Sequence, residues 1–461
     1  MTSAAQRNGF ERFLSLFTRV QPGEGRCIAA LSLQACVLMV AYYLIRPVRE
    51  ALILTQGGAE LRSYAVGVQA LLLLAIIPAY SALTRLVEPR RVFQYVNAFF
   101  ALNLAVLCLL GHAGCRLGFV FFIWASIFGV MAVTQFWAFA TDLLNVASGE
   151  RLFGIVAIGI SCGALIGSRL SAAGMAAIGP YGLMLASGAT LMGAIAISHW
   201  ARRCVPAASR NAASPREANA QRKRNSTRRW LGGFALIGRS RYLVCIAALV
   251  VLVNWITSTG EFVLADWLVE IARRNAPDGQ AVFIGRFMGN YSAAITLVGF
   301  LVQLLLVSRV ILIAGVARAL LVAPMMFLGG YLLIGIFPVF ALVQAVLVAQ
   351  RSMDYSLLNT TRNALLLPTS WEVKYEAKTT IDTFFYRLGD LLSTLSIFAG
   401  ARIFHDPRTQ IVWLTLILSA TMTLVAWLIG REYRRSFAAA HEESPGLALA
   451  GRARAGVALQ Q

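Results

Sequence analysis

The chain has 461 residues, of which 58% are hydrophobic and 13% charged, and its mean hydropathy is +0.68. A soluble domain carries about 25% charged residues, so soluble enzymes, disordered proteins and disulfide-stapled secreted domains are excluded. The net charge is +20 and the seven cysteines show no pairing or ligand spacing. Cys36, Cys108, Cys162 and Cys245 fall in apolar runs and are expected as buried small hydrophobes, with no metal and no cofactor.

Residues 1–26 contain Arg7, Arg12, Arg19 and Arg26 and no apolar signal region, so a tail without a cleaved leader is expected. Long apolar runs then mark twelve spans. In the first half they cover 27–45, 64–84, 92–111, 118–145, 152–173 and 180–200. In the second they cover 242–270, 286–308, 310–331, 335–366, 377–400 and 410–430. Several exceed the about 20 residues a bilayer needs, which reads as tilt or extension beyond it. Placing both termini in the cytoplasm puts 27 of the 41 Lys and Arg inside, the asymmetry that sets orientation.

The organisation expected is an N-tail (1–26), a six-helix bundle (27–200), a basic linker (201–240), a second six-helix bundle (241–431) and a C-tail (432–461). Residues 201–241 hold eleven Lys and Arg against Glu217 alone. Lying between two halves and lacking apolar periodicity, this segment reads as a topology anchor that meets anionic lipid headgroups, with no nucleic-acid partner. The fold class is therefore all-α integral membrane protein, major-facilitator-like, in which two bundles rock around a central site. No G-x-x-x-x-G-K-[ST] phosphate loop occurs, so ATP-driven transport by this chain alone is not expected. Gly159-Ile160-Ser161-Cys162-Gly163 fits G-x-S-x-G, but the nucleophile elbow needs a strand before it. Gly159, Gly163 and Gly167 recur every four residues, the pattern by which two helices approach closely. No enzyme is expected.

The informative residues are charges at membrane depth, each costing about 2.5–3.5 kcal/mol on insertion scales. Arg46, Arg49 and Glu50 end the first span; if the helix continues past Pro47, Arg46 and Glu50 share a face. They read either as interfacial anchors or as an anion-receiving group at the outer mouth of a cavity. Asp142, Glu150 and Arg151 bracket the junction of spans four and five and read as gating salt bridges. Glu261 lies mid-span after Thr257, Ser258, Thr259 and Gly260, where an Arg or a proton would partner it. Arg351, Asp354 and Arg362 precede span eleven. There Lys378, Asp382 and Tyr386 form one stripe at i,i+4 spacing, followed by Arg387 and Asp390. A polar stripe on an apolar helix faces an aqueous cavity, and the Arg387 fork suits phosphate or carboxylate. Together with Arg169, Arg286 and Arg318, these arginines point to a small anionic solute.

Several segments carry a family resemblance: "YYLIRPVREALILTQGGAE", "FWAFATDLL", "ERLFGIVAIGISCGALIGS", "TSTGEFVLADWL", "FMGNYSAAITLVGF", "ARALLVAP" and "KYEAKTTIDTFFYRLGD". Over roughly residues 35–430 the chain resembles the nucleotide transporter family, the ATP/ADP antiporters of plastids and obligate intracellular bacteria. It is most similar to that family's bacterial relatives of undefined substrate. The resemblance implies nucleotide exchange by alternating access. It matches Arg49 to the family's first-span basic residue and Glu261 to its span-seven glutamate. The span-eleven basic residue is matched by Lys378, or its position is held by Asp390. The family's fourth-span glutamate has no counterpart, since 117–141 contains no acid. Arg46, Arg49 and Arg387 would then hold phosphates and Trp137 or Phe136 would stack on a base. The alternative is a proton-coupled symporter or exporter of another small anion, with Glu261 or Asp382 carrying the proton. A monomer in a bacterial inner membrane is expected.

Overall fold

The computed structural model describes residues 25–83, 89–143, 146–204, 226–366, 369, 373–403 and 407–442. Among these the regular structure is all helix, the element that satisfies every backbone polar group within one segment and so can cross lipid. Most of both tails and the linker between 205 and 225 lie outside the described residues.

The first element, α1 (Gly25–Leu83), is broken at Gly58, where φ is 68° and ψ −167°, a region held almost only by glycine. The chain turns back there. Arg62 Nε donates to Glu50 Oε2 at 2.6 Å across twelve residues, whereas a straight helix would place them about 18 Å apart. The first bundle continues with α2 (Pro89–His112), α3 (Gly118–Leu143), α4 (Val146–Ala177) and α5 (Gly179–Arg203). A short α6 (Ser226–Arg239) precedes α7 (Arg241–Asn275), α8 (Gln280–Ala314) and α9 (Val316–Ile336). The tenth rod, α10, joins Phe340–Met353, a π-helical turn Asp354–Leu358 and Asn359–Leu365. Next, α11 joins a π turn Val373–Ala377, Lys378–Thr380, a second π turn Ile381–Phe385 and Tyr386–Ile403. The last is α12 (Pro407–Glu442).

Nine described helices are long and apolar enough to cross a membrane. The first of these holds two passes divided at Gly58, and the charge-interrupted rods α10 and α11 bring the described rods to the twelve expected. Two boundaries differ from the sequence reading. The first pass runs to Gly57 rather than residue 45, so Arg46, Arg49 and Glu50 sit inside a helix and not at its end. The linker expected over 201–240 ends in the helix α6. Its Phe234 ring meets Phe384 and Phe385 of α11 at 5.0 and 6.0 Å between centroids; Phe234 and Ile237 lie one turn apart, a short apolar face within an arginine-rich stretch of sequence.

The glycine stripe of α4 packs as its spacing implies. A Cβ at Gly159, Gly163 or Gly167 would strike the backbone of Ser32, Cys36 or Val40 in turn, and Ser171 Oγ donates to Leu44 O at 2.9 Å. Both helices advance four residues per contact, so α4 runs parallel to the first arm of α1 with no side chain between the backbones. Ser161, of the hydrolase-like pattern, donates to its own helix at Ala157 O. Cys162 is exposed and not buried as its apolar context implied.

The contacts that join the two bundles gather toward the end where Gly58 turns. Thr394 donates to Ser63 O at 3.0 Å, Arg169 to Asn290 at 2.9 Å, and Tyr64 meets Phe398 edge-on at 6.0 Å. A Cβ at Gly289 of α8 would lie 2.8 Å from that of Ala172 in α4. Closure at this end leaves a cavity between the bundles.

Candidate functional site

That cavity measures about 580 Å³, and it is lined from both bundles. Its charges are five arginines (Arg46, Arg49, Arg62, Arg351, Arg387) and three carboxylates (Glu50, Glu261, Asp390). Both arms of α1 supply residues, as do α7, α10 and α11; α3 adds Phe122 and Ser126.

Most of the charges form one ribbon of alternating sign. Arg49 donates to Ser126 Oγ at 2.8 Å and to Glu50 Oε1 at 3.2 and 3.3 Å. Glu50 Oε2 accepts from Arg62, whose Nη2 donates to Glu261 Oε2 at 2.8 Å. Glu261 Oε1 accepts from Arg351 through Nε, at 2.9 Å, and also through Nη2. Arg351 lies 4.0 Å from Asp354. Burying an ion costs several kcal/mol unless partners compensate it, and alternation provides each internal member with a partner on either side. The Phe122 ring, 4.7 Å from the Arg49 guanidinium and 5.9 Å from that of Arg62, adds cation–π attraction.

Two arginines stand apart from the ribbon. Arg387 donates to Asp390 Oδ2 at 3.2 Å, while Asp390 Oδ1 accepts from the Ser258 hydroxyl at 2.7 Å. Arg46 has no carboxylate partner among the described residues; it reaches only the Tyr43 hydroxyl at 3.3 Å and that ring at 5.4 Å. The cavity thus holds two more arginines than carboxylates, and Arg46 is the one that touches no carboxylate among the described residues. Tyr42, Tyr291, Tyr355 and Tyr386 supply rings, and the buried Tyr291 hydroxyl has no protein partner.

Eight residues singled out from sequence meet here: Arg46, Arg49, Glu50, Glu261, Arg351, Tyr386, Arg387 and Asp390. Although the helix does continue past Pro47, Arg46 and Glu50 do not pair, because Arg49 and Arg62 occupy both oxygens of Glu50. The stripe of Lys378, Asp382 and Tyr386 is broken, since a π turn over Ile381–Phe385 inserts a residue into the helical count. Of the three, only Tyr386 lines the cavity, and Asp382 pairs outside it with Arg362 at 3.3 Å. Trp137 does not line it either; its ring packs edge-on against Phe153 at 5.2 Å and Phe136 at 5.6 Å. Arg169, Arg286 and Arg318 are exposed away from the cavity. The side chains of Asp142, Glu150 and Arg151 lie outside the described residues.

Sequence reading missed Arg62 and the bridge it makes. The signal was present: once Gly57-Gly58 is read as a turn, Arg62 falls one helical turn into the returning arm. Arg351 was noted as a charge but not as the second partner of Glu261.

Residues 118–342 match the profile of a family described as TLC ATP/ADP transporter. No curated protein matches the sequence. Among solved structures the chain is similar to a bacterial homologue of the human lysosomal transporter Spinster, in an inward-facing conformation. There the TM-score is 0.57 and the identity 13%, over 91% of this chain and 99% of that one. It is similar to the nucleoside transporter NupG, with TM-score 0.59 and 10% identity over 89% and 99% of the two chains. It is also similar to a bacterial homologue of the iron transporter ferroportin, with TM-score 0.60 and 12% identity over 88% and 98%. At such identities these likenesses establish the fold alone. The chain thus has the fold of the major-facilitator transporters, with many apolar helices, and over residues 118–342 it is similar to the TLC ATP/ADP transporter family.

Proposed function

We propose that the chain moves a small phosphorylated anion by alternating access, and that nucleotide exchange of the ATP/ADP type is the reaction. The observation that carries this reading is the surplus of arginine around the cavity, with Arg46 lacking any carboxylate partner beside four tyrosines. Guanidinium forks bind phosphate oxygens bidentately, and aromatic rings offer faces to a base. A volume of about 580 Å³ falls in the range of small-molecule sites, about 300–1,000 Å³. The description of the matching family adds ATP and ADP as the first ligands to try. With the Lys- and Arg-rich loops placed in the cytoplasm, the joined Gly58 end faces outward and the cavity belongs to an inward-facing state in a bacterial inner membrane. The membrane-facing partner of the basic linker is anionic lipid.

Calorimetric titration of the purified protein with ATP, ADP, adenosine and a sugar phosphate tests the reading. ATP and ADP are expected to bind competitively, with adenosine at least about tenfold weaker, the loss of one charge-assisted contact. Binding of none of the phosphorylated ligands would overturn it.

A further inference from the structure

The three carboxylates of the cavity are not equivalent. Glu50 accepts from two guanidiniums, those of Arg49 and Arg62. Glu261 likewise accepts from two, those of Arg62 and Arg351. Asp390 accepts from one guanidinium and one neutral hydroxyl. It is nonetheless as deeply placed as Glu50, each being 6% exposed. A buried carboxylate is held ionised by the positive charge around it, so Asp390 is the one whose charge is least offset.

Among the groups that share the cavity with it, Arg387 is the cation in hydrogen-bond contact, and Arg351 acts on it at longer range. Tyr386 and Arg387 accompany it on α11, Ser258 and Glu261 face the same cavity from α7, Arg351 from α10, and Arg62 and Gln69 from the returning arm of α1. Arg62 and Arg351 are both engaged by Glu261, which itself adds negative charge to the site.

We propose that Asp390 is the proton-binding site of a proton-linked anion carrier, in which its protonation releases Arg387 to the substrate. The proton enters from the water of the cavity at Oδ2, the oxygen that accepts from Arg387 Nη1, while Oδ1 keeps the Ser258 hydroxyl. Arg387 is then left without a carboxylate, as Arg46 already is, and the anion takes the place that Oδ2 held. Binding of the anion and of the proton therefore strengthen one another by the same factor. Release of the proton restores the Arg387–Asp390 pair and expels the anion. Neither Glu261 nor Asp382 suits this role. Protonating Glu261 would weaken its hold on both Arg62 and Arg351, the tie between the bundles, and Asp382 lies outside the cavity on Arg362.

This inference rests on the anion-carrier reading, and its test separates the two. Infrared difference spectra of the ligand-free protein in nanodiscs, between mildly basic and mildly acidic pH, are expected to show a buried carboxylic-acid band that Asp390→Asn lacks and Asp390→Glu shifts. Absence of such a band in the native protein, or its persistence in Asp390→Asn, overturns the proposal whatever the substrate. ADP is then titrated against both proteins over the same pH range. Native affinity is expected to rise as pH falls, by at most about tenfold per pH unit for one linked proton. Asp390→Asn should bind at every pH as the native protein does when acidic; comparing the two cancels the ionisation of ADP itself. An unchanged pH dependence in Asp390→Asn overturns the linkage. Failure of ADP to bind either protein overturns the nucleotide reading and leaves the infrared band to decide the proton site.

Discussion

Arg62 and Glu261 stand 199 positions apart on different bundles, and Arg62 Nη2 donates to Glu261 Oε2 at 2.8 Å. Through Glu261 the guanidinium of Arg62 is joined to that of Arg351, so a single carboxylate ties the first bundle to α7 and α10. In a carrier whose halves rock about the site, such a tie is an element that must break for the Gly58 end to open.

Glu261→Gln is accordingly expected to favour the opened form. A hydrogen bond to a charged group contributes about 1.5–3 kcal/mol, so the shift should be roughly tenfold to a hundredfold. Spin labels at Glu60 and Arg273, which line one crevice at that end, report it in a background without the seven native cysteines. The longer inter-label distance should gain population. Unchanged distances would show that Glu261 does not hold the bundles together.

Arg46→Ala removes a cation that touches no carboxylate among the described residues, so it breaks no ion pair. It is expected to weaken ATP and ADP by about tenfold to a hundredfold with little change in thermal stability. Arg49→Ala strips partners from Glu50 and Ser126 and should lower stability as well as affinity. Titration calorimetry and thermal unfolding on the two variants separate these outcomes.

Trp137→Leu is expected to lower the unfolding temperature and leave nucleotide affinity within about threefold, since its ring contacts are Phe136 and Phe153. Tyr355→Ala, on the cavity wall, should show the reverse, with the loss falling on ligands that carry a base. An aromatic stacking contact is worth about 0.5–1.5 kcal/mol. Equal affinity losses for ADP and for a sugar phosphate would place the base away from Tyr355.

Gly163→Ala is expected to abolish accumulation of folded protein, because its Cβ would strike the backbone carbonyl of Cys36. Gly154→Ala on the same helix meets nothing within 4 Å and should be neutral or stabilising by up to about 1 kcal/mol. Membrane yield and monodispersity of the two variants check the difference.

Apolar run length made the twelve-span, two-bundle architecture legible in the sequence, because it reflects a constraint the bilayer imposes on any chain. The Gly159–Gly163–Gly167 packing was equally legible, since it depends on one helix's own spacing. The candidate site was legible chiefly where charge stands out against apolar surroundings, at Arg46, Arg49, Glu50, Glu261, Arg351, Arg387 and Asp390. Which charges pair was not, because partners such as Arg62 and Glu261 meet through tertiary folding and not through periodicity. The Lys378–Asp382–Tyr386 stripe failed for a local reason: counting by 3.6 residues does not survive the π turns of α11. Trp137 misled because an aromatic near a charged run reads the same whether it faces a ligand or another ring.

The central claim, that the cavity around Arg46 carries a nucleotide between two faces of the membrane, is tested most directly by uptake of labelled ADP into proteoliposomes with and without internal ADP. Uptake that saturates, requires internal nucleotide and is lost in Arg46→Ala is expected. Native protein that is folded and inserted yet takes up no labelled ADP under either condition would contradict it.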